Sequence, residues 1–181
     1  LGGNGLNCVV EYPDPHTLRC RTHLNSPDGA TGMPDPADPS RWLDSRFHRV
    51  ADSEASLLGV TTTAAGIMTA APYRVVDPGH WVFDGTGLAA GDSFGAASLH
   101  ERCHGGASGH ETDKTSPRTP PGTRLLAKGL NPDDGGAEMV VRELPGGGGV
   151  FSVGSITWPA SLLVDDAVSR ITRNVLERWT S

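Results

Sequence analysis

The chain has little of what marks several large functional classes. No apolar run approaches the ~20 residues of a membrane-crossing helix, so a membrane is not expected as a partner. Basic residues are few and dispersed, 15 Lys and Arg against 21 Asp and Glu, for a formal net charge of -6. They form no stripe with interleaved aromatics, which argues against nucleic acid. Cysteine is scarcer still: Cys8, Cys20 and Cys103 make an odd count without metal-type pairing. Cys8 and Cys20 can face each other across a hairpin, although free buried thiols fit better with the cytoplasmic setting read for this chain. Apolar residues amount to 36%, below the usual globular share.

Glycine (24) and proline (14) are plentiful instead, which suggests a loop-rich, strand-heavy domain. A length of 181 residues suits one domain with a real core, or part of a larger one. The opening Leu1-Gly2-Gly3-Asn4-Gly5 reads as a buried strand leaving into its loop. The chain is therefore expected to begin in mid-fold, with at least one strand and helix upstream.

Residues 6–11 and 17–22 read as a hairpin about Tyr12–His16. Residues 25–40, with four prolines, read as an exposed loop. Leu57–Thr62 has the look of a buried strand, and 73–76 with 80–83 of a hairpin about Asp77-Pro78-Gly79. Residues 104–123 read as loop, and Arg124–Ala127 as strand. Two more strands, 138–144 and 150–155, flank Pro145 and its glycines. The last segment is a helix opened by Asp165 or Asp166, with an apolar face of Val168, Ile171, Val175, Leu176 and Trp179. Arg170, Arg173 and Arg178 fall off that stripe and read as solvated surface. Strands followed by a sheet-covering helix suggest an α/β layered domain with added antiparallel hairpins.

Chemistry concentrates in the run Gly105-Gly106-Ala107-Ser108-Gly109-His110-Glu111-Thr112-Asp113-Lys114. Its glycines let the backbone turn sharply and approach other groups closely. A carboxylate desolvated in such a loop can serve as a general base or acid near neutral pH. The competing view is a turn with two solvated polar residues. His80 reads as a packed or turn histidine, and Trp81 and Trp158 as core or pocket wall. His100, Cys103 and His104 have the makings of a zinc site, without a second cluster. Ser108 lacks the full Gly-x-Ser-x-Gly pattern of a nucleophile turn.

Three stretches resemble the C-terminal domain of the N,N-dimethylformamidase large (beta) subunit family. They are Leu58–Val60 with Ala71–Asp77, His80-Trp81 and Gly85–Leu88; Gly105–Lys114; and Glu143–Trp158 with Ser169–Leu176. The opening Leu1–Gly5 also fits. The resemblance implies a fold like the class I glutamine amidotransferases, in the C-terminal part of a larger subunit. It implies hydrolysis of a small formamide to formate and an amine, with an iron held by Tyr, His and Glu. It is also compatible with a small partner subunit and homo-oligomers. Carried over, the Tyr falls upstream of Leu1. The family's His-x-Glu falls on Asp52-Ser53-Glu54, so Glu54 matches and Asp52 stands in the His position. Asp52 can bind iron through oxygen, giving a harder site, and His48 can substitute if the backbone folds back. Otherwise Glu54 is a surface acid beside a strand. Glu111 is the carboxylate that the resemblance puts at the chemistry, with His110 its neighbour.

Two other readings compete. One is a non-catalytic binding or assembly domain of the same fold, favoured by Asp52 at the His position. The other is glutaminase chemistry, which needs a reactive Cys on a strand-to-helix turn; Cys103 lacks the helix pattern after it.

Overall fold

The structure, a computed structural model, describes residues 9–21, 54–63, 66 and 68–180. It opens on the expected hairpin. Strand β1 (Val9–Asp14) pairs antiparallel with β2 (Thr17–Arg21), and Val10 lies opposite Cys20. Cys8 is outside the described residues, as is the segment 25–40.

The next expectation is overturned. Leu57 and Leu58 belong to a single helical turn, α1 (Ala55–Leu58), closed by Gly59 in the left-handed conformation. The Glu54 carbonyl accepts the amides of Leu57 and Leu58. Only β3 (Thr61–Thr63) is strand here. A short apolar run does not reveal by periodicity whether it is strand or helix, and the glycine marks a helix end.

Strand β4 (Ala70–Ala71) leads into β5 (Tyr73–Val75), but residues 80–83 do not pair with it. Trp81–Phe83 is a 3-10 turn capped by His80, whose Nδ1 accepts the Val82 amide at 3.4 Å. Strand β6 (Ser93–Phe94) takes the place of the expected partner, at Tyr73↔Phe94. The segment 104–123 is not all loop either. It contains β7 (Ser108–Gly109), paired with β4, and β8 (Thr112–Lys114), paired with β3. Strands β7 and β8 are built from Ser, Gly, Thr, Asp and Lys and show no apolar alternation, so pattern reading passes over them.

The remaining strands follow the sequence closely. Strand β9 (Arg124–Gly129) runs two residues past its expected end. Strands β10 (Glu138–Glu143) and β11 (Gly149–Ser152) form the glycine-linked hairpin. Together they give a five-stranded antiparallel sheet in the order β11-β10-β9-β5-β6.

Helix α2 (Asp166–Thr180) covers one side of this sheet region. Val168, Ile171 and Val175 are buried with Tyr73, Phe94, Leu126, Met139 and Trp158 in one core. Leu176 is the exception on the expected stripe, 60% exposed. It follows Val175 directly, and one residue turns a helix by about 100°, which carries it off the docked face. Asp165 starts the helix with both oxygens engaged: Oδ1 accepts the Val168 amide and Oδ2 accepts the Gly95 amide beyond β6. Asn174 donates to the carbonyls of Val82 and Asp84 and so ties the 3-10 turn to the helix. Val140 meets the Gly59 turn, where an added Cβ would stand 3.2 Å from its methyl. Among the described residues no helix is long and apolar enough to cross a membrane.

Candidate functional site

The His110-Glu111 loop is shaped by backbone packed against backbone. At Gly109 an added Cβ would lie 2.2 Å from the Thr69 carbonyl oxygen, and at Gly106 2.3 Å from that of Ala71. Nothing larger than hydrogen fits at either position. His110 then takes φ 72°, the left-handed region, which is uncommon for a residue with a side chain. Two backbone bonds hold it there: its amide donates to the Thr69 carbonyl at 2.8 Å, and its carbonyl accepts the Met68 amide at 2.9 Å. Its ring nitrogen Nδ1 is buried without a hydrogen-bond partner among the described residues. The ring packs on that of His100, centroids 5.2 Å apart.

Glu111 follows, half-buried, immediately before β8. Glu54 is only 1% exposed and is no surface acid. It precedes α1, not a strand, and its Oε1 accepts the Thr61 hydroxyl at 3.1 Å. The β3–β8 ladder joins the two carboxylates into one local unit, with Thr61 opposite Lys114 and Thr63 opposite Thr112. Glu54 is anchored at the Thr61 end, and Glu111 stands beyond the Thr112 end. Three strand residues, about 10 Å of rise, separate those positions along the ladder. Asp52 and His48, the other expected ligands, lie outside the described residues.

The ladder and the neighbouring five-stranded sheet also bury acids and hydroxyls that sequence reading missed. Asp113 is 3% exposed and accepts the Thr62 hydroxyl at 3.1 Å. Tyr73, wholly buried, donates to the Val153 carbonyl at 2.6 Å, and burial pushes its phenol far above the ordinary value. Glu138 is pushed up by burial, but bonds from Thr115 and Lys128 outweigh this and hold it below the usual carboxylate range. The signal for this group was the hydroxyl-acid alternation Thr112-Asp113-Lys114-Thr115, whose strand character was masked by its polarity.

Other candidates resolve into structural roles. Ser108 Oγ donates to Asn131 Oδ1 at 2.7 Å and accepts the Ala137 amide at 3.0 Å, so it clamps two segments and is not presented as a nucleophile. The zinc grouping does not form: His100 Nδ1 accepts the amides of Arg102 and Cys103, and among the described residues no three His, Cys, Asp or Glu are placed to hold a metal ion. Cys103 is a buried free thiol. His80 caps its turn as expected, and Trp158 is core, its Nε1 donating to Thr172. Two surface cavities of about 300 Å³ lie along α2, one lined by Arg170 and Arg173, the other by Trp81 and Asn174. Neither is lined by His110 or Glu111. The strained loop and its buried imidazole nitrogen nominate the site, while the cavities bring together surface acids and arginines, Asp166 with Arg170 and Arg173 in one and Asp84 and Glu177 with Arg178 in the other.

A half-buried carboxylate follows a non-glycine residue held in the left-handed region, and strained positions of that kind gather at active sites, ligand clamps and switches. The chain belongs to the N,N-dimethylformamidase beta subunit-like C-terminal family, whose model matches residues 1–171. It is 35% identical to the N,N-dimethylformamidase beta subunit of Paracoccus aminophilus over 55% of its own length. The match spans 16% of that relative, so the chain corresponds to a small part of it.

Proposed function

We propose that this chain is the C-terminal part of an amide-hydrolase subunit that converts a small formamide and water into formate and an amine. The observation that carries the reading is His110 at φ 72°, its Nδ1 buried and without a hydrogen-bond partner among the described residues, beside Glu111 in a chain of this family. Holding a non-glycine residue there costs on the order of 1–3 kcal/mol and persists only where the surroundings over-determine it. In this reading Glu111 accepts the proton of the attacking water, and later returns it to the leaving amine. His110 lines the same loop and orients the reacting groups.

The family resemblance implies iron, and the residues present fit part of that role. Glu54 is a buried oxygen donor with one carboxylate oxygen already oriented by Thr61, as metal-binding carboxylates are oriented by hydrogen bonds from outside the ligand set. Asp52, or His48 in its place, would complete its side of the site. When bound, iron would lower the pKa of a water and polarise the carbonyl of the substrate. The same reading takes the layered fold to be like the class I glutamine amidotransferases. It also assumes a cytoplasmic setting, a small partner subunit and homo-oligomers.

In the complete enzyme, Glu111→Gln keeps shape and hydrogen bonding but removes the proton acceptor. It should lower kcat by roughly 10²–10⁴-fold with iron content unchanged. Loss of iron with activity would make Glu111 a ligand, and normal turnover would return the loop to a structural turn. The second reading, a non-catalytic assembly domain, draws on Leu163 at 88% and Leu176 at 60% exposure, apolar side chains available to a partner. Metal analysis of the complete protein separates the two, since iron belongs only to the first.

A further inference from the structure

His100 is ten residues from the proposed machinery in sequence, yet its ring lies against that of His110 with the planes at 59°. Its side chain is anchored at one edge. Nδ1 accepts the amides of Arg102 at 3.3 Å and Cys103 at 3.0 Å, which makes it the acceptor nitrogen and leaves the hydrogen on Nε2. The backbone is held too: the His100 amide donates to Ser98 Oγ, and the Leu99 amide to the Ala160 carbonyl. His110 shows the opposite pattern. Its backbone is clamped by Met68 and Thr69, but its buried Nδ1 makes no bond among the described residues. A ring with no hydrogen bond at that nitrogen takes its orientation from what it packs against, and the ring contact it makes is with His100.

We propose that His100 is a positioning residue: its fixed imidazole sets the rotamer of the His110 ring beside Glu111. The proposal rests on the formamidase reading for its catalytic consequence, but its structural content stands apart from that reading. Three variants of the complete enzyme test it, with N,N-dimethylformamide as probe. His100→Asn keeps a side-chain acceptor for the 102–103 amides and loses the ring. His100→Phe keeps the ring and loses the acceptor. His100→Ala loses both. Positioning through the ring predicts that Ala and Asn lower kcat by about 10-fold, with KM within about twofold, while Phe recovers most of the turnover.

A second readout does not depend on catalysis. With labelled histidine, the ring resonances of His110 should shift in the Ala and Asn variants and stay near the parent position in Phe. Recovery by Asn but not by Phe would assign His100 to its turn alone and overturn the proposal. So would His110 resonances that do not move in the Ala variant. Resonances that respond as expected in an enzyme without formamide hydrolysis would uphold the positioning and remove the formamidase reading instead.

Discussion

Two regions of this molecule are held together by different physics. The sheet β11-β10-β9-β5-β6 and helix α2 share one hydrocarbon core around Tyr73, Leu126, Met139, Trp158 and Ile171. The β3–β8 and β4–β7 ladders are held by hydroxyls, carboxylates and close backbone approach, with Glu54, Asp113 and Thr112 buried in them. The difference teaches where each region is vulnerable. Apolar burial is non-directional and falls off gradually as side chains are trimmed. A polar ladder depends on every bond being made, and can hold a residue in a conformation it would otherwise leave.

The sharpest break of the apolar side is Ile171→Asp, which would bury an unpaired charge in the core. It should cost several kcal/mol, about 3–5, and abolish cooperative unfolding near ambient temperature. An unchanged melting temperature would show that α2 is not docked as described. Inside the same core, the polar bond to delete is that of the Tyr73 hydroxyl. Tyr73→Phe leaves the Val153 carbonyl without that donor and should cost about 1–3 kcal/mol in urea unfolding, with no change in the helical circular dichroism signal.

Substitution at His110 reverses the sign. His110→Gly removes the strain of φ 72° and should raise stability by about 1 kcal/mol, while hydrolysis by the complete enzyme falls. A truncation in the apolar core should never stabilise, so this pair of signs separates the two regions. If His110→Gly destabilises as a core truncation does, the loop is ordinary packing.

Acid should act last and in two steps. Burial lowers the pKa of His80 below its ordinary 6.5, so the unfolded chain takes up a proton that the folded one resists. Its contribution is complete above pH 6.5 and is lost as pH falls below that value. Glu138 is also lowered, from 4.5, so the stability it contributes is present above pH 4.5 and lost as pH falls through its folded value. His80→Gln should remove the first step from a plot of stability against pH and leave the second.

The same contrast explains what was legible in the sequence. Helix α2 and strand β10 were read nearly to the residue, because their apolar spacing repeats the geometry of the element that buries it, while β11 ends at Ser152, three residues before the expected Ser155. Strands β7 and β8 were read as loop, since Thr112-Asp113-Lys114 carries no apolar alternation and its strand character comes from the partner at Thr61–Thr63. Leu57-Leu58 misled in the other direction, because a short apolar run is shared by strand and helix alike. At the site, the glycines announced a tight turn at His110-Glu111. Nothing local announced the ring of His100, which arrives from another segment, or the burial of Glu54, which depends on Thr61.

Gly106 and Gly109 also limit how this loop can change over generations. With carbonyl oxygens standing where a methyl would go, neither position offers a neighbouring sequence that still folds, so the route through mutational space is closed at both. The exposed turn at Pro132-Asp133-Asp134 has no carbonyl wall against its side chains, although Asp133 and Asp134 also take the left-handed conformation. Variation in this lineage should therefore gather around the site while the loop itself stays still. New specificities would be reached by altering what surrounds His110 and Glu111, with the peptide path that carries them left as it is.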